Sequence, residues 1–241
     1  MSELPEKEPA GEKAERASPE GPKWVIACGS VKPEIEALHP EQHGIMVRFL
    51  DQNLHRTPDL MPEFIQEAVD AVKAEASMIV LGYGLCSNGI AGVKAPDQGL
   101  IVPRIHDCIA LFLGSREKYQ KAFSDNAGTY YLSPGWVAEK KDPLGYLESD
   151  YVPRVGRETA EWALREELKH YTRIALINTG VQDVGPLRER ARENAGFLEK
   201  DYFEVEGTDE YFKKILFGPY NEEDFIHIRP GEVITQMPFL E

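Results

Sequence analysis

The sequence predicts an α/β fold of mostly parallel sheet flanked by helices, in two halves of similar, Rossmann-like outline. Three observations predict it. Short apolar runs alternate with longer stretches whose apolar residues recur every three or four positions. The short runs are apolar nearly throughout, which marks strands covered on both faces. The order strand, helix, strand, helix, strand occurs twice along 241 residues, enough chain for one large core or two small ones.

Residues 1–23 are Glu, Lys, Pro, Ala and Ser with no large apolar residue after Leu4, so a disordered acidic, proline-rich tail is expected there. Trp24-Val25-Ile26-Ala27 reads as the first strand, ending at Cys28-Gly29-Ser30. Residues 31–39 read as a short helix with Pro33 in its first turn, and 45–50 as a second strand. A helix opens at Thr57-Pro58-Asp59; its Phe64, Ile65, Ala68, Val69 and Val72 share one face. Residues 77–81 form the third strand, running into Gly82-Tyr83-Gly84-Leu85-Cys86-Ser87-Asn88-Gly89. Residues 100–103 form the fourth, followed by His106-Asp107-Cys108 and a helix through about Phe123.

Residues 128–153 are rich in Gly and Pro and read as loop. The pattern then resumes: helix 158–170, strand 173–177, helix 187–198, strand 202–205, helix 208–217 capped by Thr208, and strand 224–228. The expected organisation is the tail (1–23), an N-terminal half carrying a Cys/His site (24–150) and a C-terminal half (151–241). No residue identity links the halves.

The charge is −14, from 41 acidic and 27 basic residues, and only −2 of it lies in the tail, which has six Glu and four Lys or Arg. No dense Lys/Arg cluster is present, so nucleic acid and anionic membrane are not expected partners. No apolar run approaches the roughly 20 residues of a membrane span, and no secretory signal is evident, so a cytoplasmic location is expected.

The chemistry points to the cysteines. All three, Cys28, Cys86 and Cys108, fall just beyond the carboxyl end of an expected strand, where ligands bind in open parallel sheets. An odd count in a chain of this kind argues against a disulfide framework. His106 and Cys108, two apart, point to one side of an extended segment. If a helix begins at Asp107, Cys108 instead meets a helix N-terminus, which favours thiolate. Three thiolates and an imidazole match a zinc site, with His106 as fourth ligand or base and Asp107 orienting the site. Soft ligands also suit an iron–sulfur cluster or cuprous ion. The spacing lacks the tight CxxC pairs of a zinc ribbon, and buried inert thiols are the plain alternative. A nucleophilic cysteine served by His106 is a further reading. The tyrosine-phosphatase loop does not fit, because Gly114 stands where its Arg belongs.

The glycines of the 82–92 loop, with Asn88, allow close approach to a bulky ligand; neither the P-loop ending nor the dinucleotide spacing is present. Gly82, Tyr83, Gly84 and Asn88 are therefore candidate cofactor contacts. Tyr130, Tyr131 and Trp136, in a Gly/Pro-framed loop, offer a flat wall and phenolic donors. Arg104, like Arg116, flanks the triplet and suits a carboxylate or phosphate. His39, His43, His55 and His170 lie in polar settings and are expected to be solvated, whereas His227 is expected in the core or supporting a ligand.

Three segments carry a resemblance: Gly82-Tyr83-Gly84-Leu85-Cys86, then 103–108 through Leu113-Gly114-Ser115, then 128–136. Together they resemble the family called domain of unknown function 1638, over about Trp24 to Met237. Ser87 stands where that family is expected to carry Gly. The resemblance implies a role in, or beside, corrinoid-dependent methyl transfer from methylated amines and related compounds. The partner would then be a small molecule or a corrinoid protein. A metal-dependent methyltransferase and a non-catalytic accessory protein both agree with it.

Overall fold

The computed structural model, which describes residues 20–181 and 183–240, has two sheets; the apolar strands at their centres are buried, whereas the edge strands at 45–50 and 201–206 are partly exposed. In chain order the strands are β1 (Lys23–Cys28), β2 (Ile45–Leu50), β3 (Met78–Gly82), β4 (Leu100–Pro103), β5 (Thr129–Leu132), β6 (Arg173–Asn178), β7 (Asp201–Glu206) and β8 (Phe225–Ile228). The first sheet has the order β2-β1-β3-β4-β8, parallel except for β8, which runs antiparallel along β4. The second is a parallel sheet of order β5-β6-β7. The chain is thus an α/β protein.

The helices are α1 (Lys32–Glu36), α2 (Met61–Val72), α3 (Ile109–Leu113), α4 (Arg116–Asp125), α5 (Pro134–Ala138), α6 (Pro143–Tyr146), α7 (Val152–Val155), α8 (Arg157–Glu167), α9 (Gly185–Leu198), α10 (Glu210–Phe217) and α11 (Met237–Leu240). Helix α2 shows why its sequence is helical: Ile65, Ala68, Val69 and Val72 are buried along one face, while Phe64, counted with them from the spacing, is exposed. No helix among the described residues is long and apolar enough to cross a membrane.

Several elements differ from the expectation. Residues 1–19 of the expected tail lie outside the described residues, and Lys23 already belongs to β1, its Nζ donating to the Leu216 carbonyl at 2.8 Å. The helix expected through Phe123 is two helices. Gly114, at φ 86°, ends α3, and the Ser115 hydroxyl restarts the chain as α4 by accepting the Lys118 N–H. The 128–153 loop holds β5 and α5–α7. The two sheets also exchange segments: β5 joins the later strands, and β8 returns to the first sheet. His227, expected inside, is exposed on β8, its Nε2 2.8 Å from the Tyr220 carbonyl.

The sheets are joined by a buried carboxyl. Glu34 on α1 is fully buried; its Oε1 accepts from the Thr179 hydroxyl beyond β6 at 3.2 Å, while Oε2 has no partner among the described residues. Burial raises its pKa from 4.5 to about 7, against the smaller pull of hydrogen bonds from the backbone and Thr179. The folded chain therefore holds this proton longer than the unfolded one. Stability is complete below the unfolded value of 4.5 and declines as pH rises toward 7. Between about pH 5 and pH 8 the wild type should lose stability, on the order of 3 kcal/mol, that Glu34→Gln retains. Denaturant midpoints measured across that range check this, and parallel curves for the two proteins would contradict it.

Candidate functional site

In the order β2-β1-β3, the chain leaves β1 to one side and returns to the other. The loops after β1 and β3 therefore part at the carboxyl edge and open a crevice, the usual ligand position in such sheets. Cys28 is the last residue of β1, Cys86 lies four residues past the end of β3, and Cys108 precedes α3 as its N-cap residue. All three are buried free thiols.

Gly82 and Gly84 let these segments meet. A Cβ on Gly82 would lie 2.7 Å from the Ala27 Cβ, and one on Gly84 would lie 2.8–2.9 Å from the Asp107 backbone. The close approach lets Leu85 N–H donate to the Ile105 carbonyl at 3.0 Å and Cys86 N–H to the His106 carbonyl at 2.8 Å. The two thiols are thereby placed 3.6 Å apart, Sγ to Sγ. Cys86, Ser87 and Asn88 all take left-handed backbone conformations, at φ 48°, 57° and 67°. Such geometry costs an ordinary residue about 1–2 kcal/mol, somewhat less for Asn.

Cys28 has its own partners. Its sulfur accepts from the Ser30 hydroxyl at 3.1 Å and from the Ser30 N–H at 3.5 Å, and it stands 3.2 Å from His55 Nε2. Burial raises its pKa to about 12, with Cys108 adding to the rise. Cys108 is also raised, first by its contact with Cys86 and then by burial. Both act against the thiolate that the helix N-terminus at Cys108 favours. Burial lowers the pKa of His55. Tyr83, between Gly82 and Gly84, is 1% exposed, and its hydroxyl has no partner among the described residues.

Above the thiols lies a cleft of about 570 Å³, within the range of small-molecule sites. Of the residues singled out in the sequence, Cys86, Asn88, His106, Asp107, Cys108, Tyr130, Tyr131 and Trp136 line it. Cys28, Gly82, Tyr83, Gly84 and Arg104 do not. Gly82 and Gly84 serve close backbone approaches to Ala27 and Asp107, and the Arg104 guanidinium donates to the carbonyls of Glu222 and Pro238 at 3.0 and 2.8 Å. His106 is exposed at the rim. Asp107 accepts from the Ile109 N–H at 2.8 Å and from the Tyr119 hydroxyl at 2.5 Å. Burial raises its pKa, and these two bonds pull it back. Among the described residues no Lys or Arg lines the cleft.

The aromatic wall comes from the second sheet. Tyr130 and Tyr131 lie on β5, and the Ser133 hydroxyl caps α5 at the Trp136 N–H, turning Trp136 toward His55 with ring centroids 6.5 Å apart. Sequence reasoning missed His55, Ser30 and Tyr119. His55, expected to be solvated, is half-buried on the 3-10 turn Gln52–Arg56; its polar neighbours concealed the parallel register that sets Leu50 beside Cys28. Among the described residues no three His, Cys, Asp or Glu side chains are gathered closely enough, as they stand, to hold one ion.

Gly84→Ala should push the two segments apart. We expect about 1–3 kcal/mol of lost stability and faster labelling of the buried thiols by an aromatic disulfide reagent. Unchanged stability and labelling would show that this crossing does not hold the thiols in place.

No curated protein and no solved structure matches the chain. One family model, described as "Protein of unknown function (DUF1638)", matches residues 49–216. The match is shorter at both ends than the likeness read from the sequence. It takes in His55, Cys86, the 106–108 triplet and the aromatic wall, and leaves Cys28 outside. Since the model covers well over half of the chain, the protein belongs to the DUF1638 family.

Proposed function

We propose that this chain binds a thiophilic metal ion, zinc in the first instance, and acts in corrinoid-linked one-carbon methyl transfer. The single observation that carries the metal reading is the 3.6 Å separation of the Cys86 and Cys108 sulfurs. Two thiolates bound at 2.3 Å to one tetrahedral ion lie about 3.8 Å apart. The pair therefore needs almost no rearrangement to chelate, and Cys28 is the third sulfur at the same sheet edge. A bound ion would act as a Lewis acid toward a thiol or amine in the cleft.

The chain's own residues then have distinct work. Tyr130, Tyr131 and Trp136 wall the cleft and exclude water from a small substrate. His106, exposed at the rim, is the base of the site, and Asp107 is held in one orientation by Tyr119 and Ile109. The methyl-transfer part of the reading rests on the family resemblance. The cleft suits a small molecule, so a corrinoid would be carried by a partner protein that meets the rim.

Elemental analysis of protein purified without added metal tests the reading. Near-stoichiometric metal is expected in the wild type, with loss in Cys86→Ser and Cys108→Ser and a weaker deficit in Cys28→Ser. Sub-stoichiometric metal in the wild type, or wild-type content retained in all three variants, would sink it.

A further inference from the structure

We propose that Cys86 and Cys108 are a redox pair: they close to a disulfide by exchange with a small disulfide that enters the cleft, and reopen with a thiol. The inference does not rest on the metal reading. It bears on it, because a closed pair has no thiolate to offer an ion.

Main-chain geometry fixes the spacing of the pair. Where Gly84 meets Asp107, the N–H groups of Leu85 and Cys86 donate to the carbonyls of Ile105 and His106. That crossing holds the two sulfurs 3.6 Å apart although they are 22 positions distant in the chain. Two thiols must approach to about 2 Å to bond, so about 1.5 Å of travel remains, the scale of a side-chain torsion adjustment. Cys28 is placed differently. It has no exposed surface and does not line the cleft, whereas Cys86 and Cys108 are 6% and 8% exposed and both line it. The Cys28 sulfur is engaged by Ser30 and His55 instead. A reagent in the cleft therefore meets two thiols of the three, and those two already face each other.

The cleft also selects the oxidant. Its volume of about 570 Å³ admits a small molecule, and Ile109, Phe112 and Tyr131 are among its walls. Asp107 lines it, among the described residues no Lys or Arg does, and the chain carries a net charge of −14. An anionic disulfide such as oxidised glutathione thus meets no counter-charge, and an uncharged or cationic one is favoured. One thiol of the pair, as thiolate, attacks a sulfur of the small disulfide RSSR. The S–S bond of the reagent breaks, and the departing sulfur takes up the proton as RSH. The neighbouring thiol then attacks the protein sulfur of the mixed disulfide and releases the second RSH. Two electrons pass from the protein sulfurs to RSSR, which ends as two RSH. An excess of thiol drives the same steps backward.

The test treats the full, reduced chain, stripped of metal by a chelator, with hydroxyethyl disulfide. Acid quench, alkylation with N-ethylmaleimide and mass spectrometry follow. The wild type should lose two hydrogens and two of its three thiols and keep no part of the reagent. Its tryptic segments 74–94 and 105–116 should appear as one cross-linked species. Dithiothreitol should restore all three thiols. Cys28→Ser should close as the wild type does, whereas Cys86→Ser and Cys108→Ser should each stop at a mixed disulfide that keeps half of the reagent. Oxidised glutathione at equal concentration should close the pair about 10-fold more slowly or less. Three thiols surviving in the wild type, a cross-link that includes Cys28, or a stable mixed disulfide without closure would overturn the redox pair, and none of these depends on how a variant folds. Equal rates with the two reagents would overturn the assigned class of oxidant. A wild type that holds metal as purified yet never closes would overturn this inference and leave the metal reading standing.

Discussion

The site depends on a crossing of two backbones with no room for a side chain between them. Where Gly84 lies on Asp107, the segment leaving β3 and the segment leaving β4 come close enough for two main-chain hydrogen bonds. Everything above follows from that contact. It turns Cys86 toward Cys108, takes the chain through three successive left-handed residues, and leaves the buried Tyr83 hydroxyl without a partner among the described residues. A left-handed run at Cys86 and Ser87 and an unpaired phenol together cost several kcal/mol. A fold bears that cost where the surrounding structure dictates the geometry, and such strain gathers at functional sites.

The protonation of the thiols is decided by competing magnitudes. A helix N-terminus favours a nearby anion by about 0.3–1 kcal/mol, and α3 has only five residues. Taking a charge out of water costs several times more unless it is paired. Cys108 is buried and faces another thiol, so burial and its neighbour outweigh the dipole and the thiol holds its proton. A cation arriving in the cleft reverses the balance, since it supplies the missing counter-charge at the sulfurs themselves. Among the described residues the cleft is lined by no Lys or Arg, so no fixed positive charge beside the sulfurs offsets the cost of ionising them.

How much of this the sequence disclosed depended on how local each signal was. The central strands β1, β3, β4 and β6 were legible because burial makes them nearly continuous apolar runs, and the cysteines were legible because each follows such a run. β5 was hidden: Thr129-Tyr130-Tyr131-Leu132 is short, framed by Gly128 and Pro134, and becomes a strand only by pairing with β6, 44 positions away at Thr129 and Arg173. β8 is apolar enough to be seen as a strand, yet its antiparallel partner is β4, which no local pattern states. His55 was lost for the same reason. Apart from Leu54 its sequence neighbours are polar, and only the β1–β2 register brings it to Cys28. Gly82 and Gly84 were recognised as sites of close approach, but what approaches them is the chain's own backbone.

The two sheets do different jobs, and the residues that bind them together also set the site. The first sheet supplies the sulfur edge and the second the aromatic wall. The 3-10 turn that carries His55 also carries Arg56, whose guanidinium pairs with Asp150 at 2.8 Å and lies 4.6 Å from the Tyr146 ring centroid. His55 itself stands between Cys28 and the Trp136 ring. One short turn after β2 is therefore fastened at successive residues to the first sheet's thiol and to the second sheet's helices. A shift of either sheet displaces the imidazole from the sulfur, so cleft width and the geometry at Cys28 cannot vary independently.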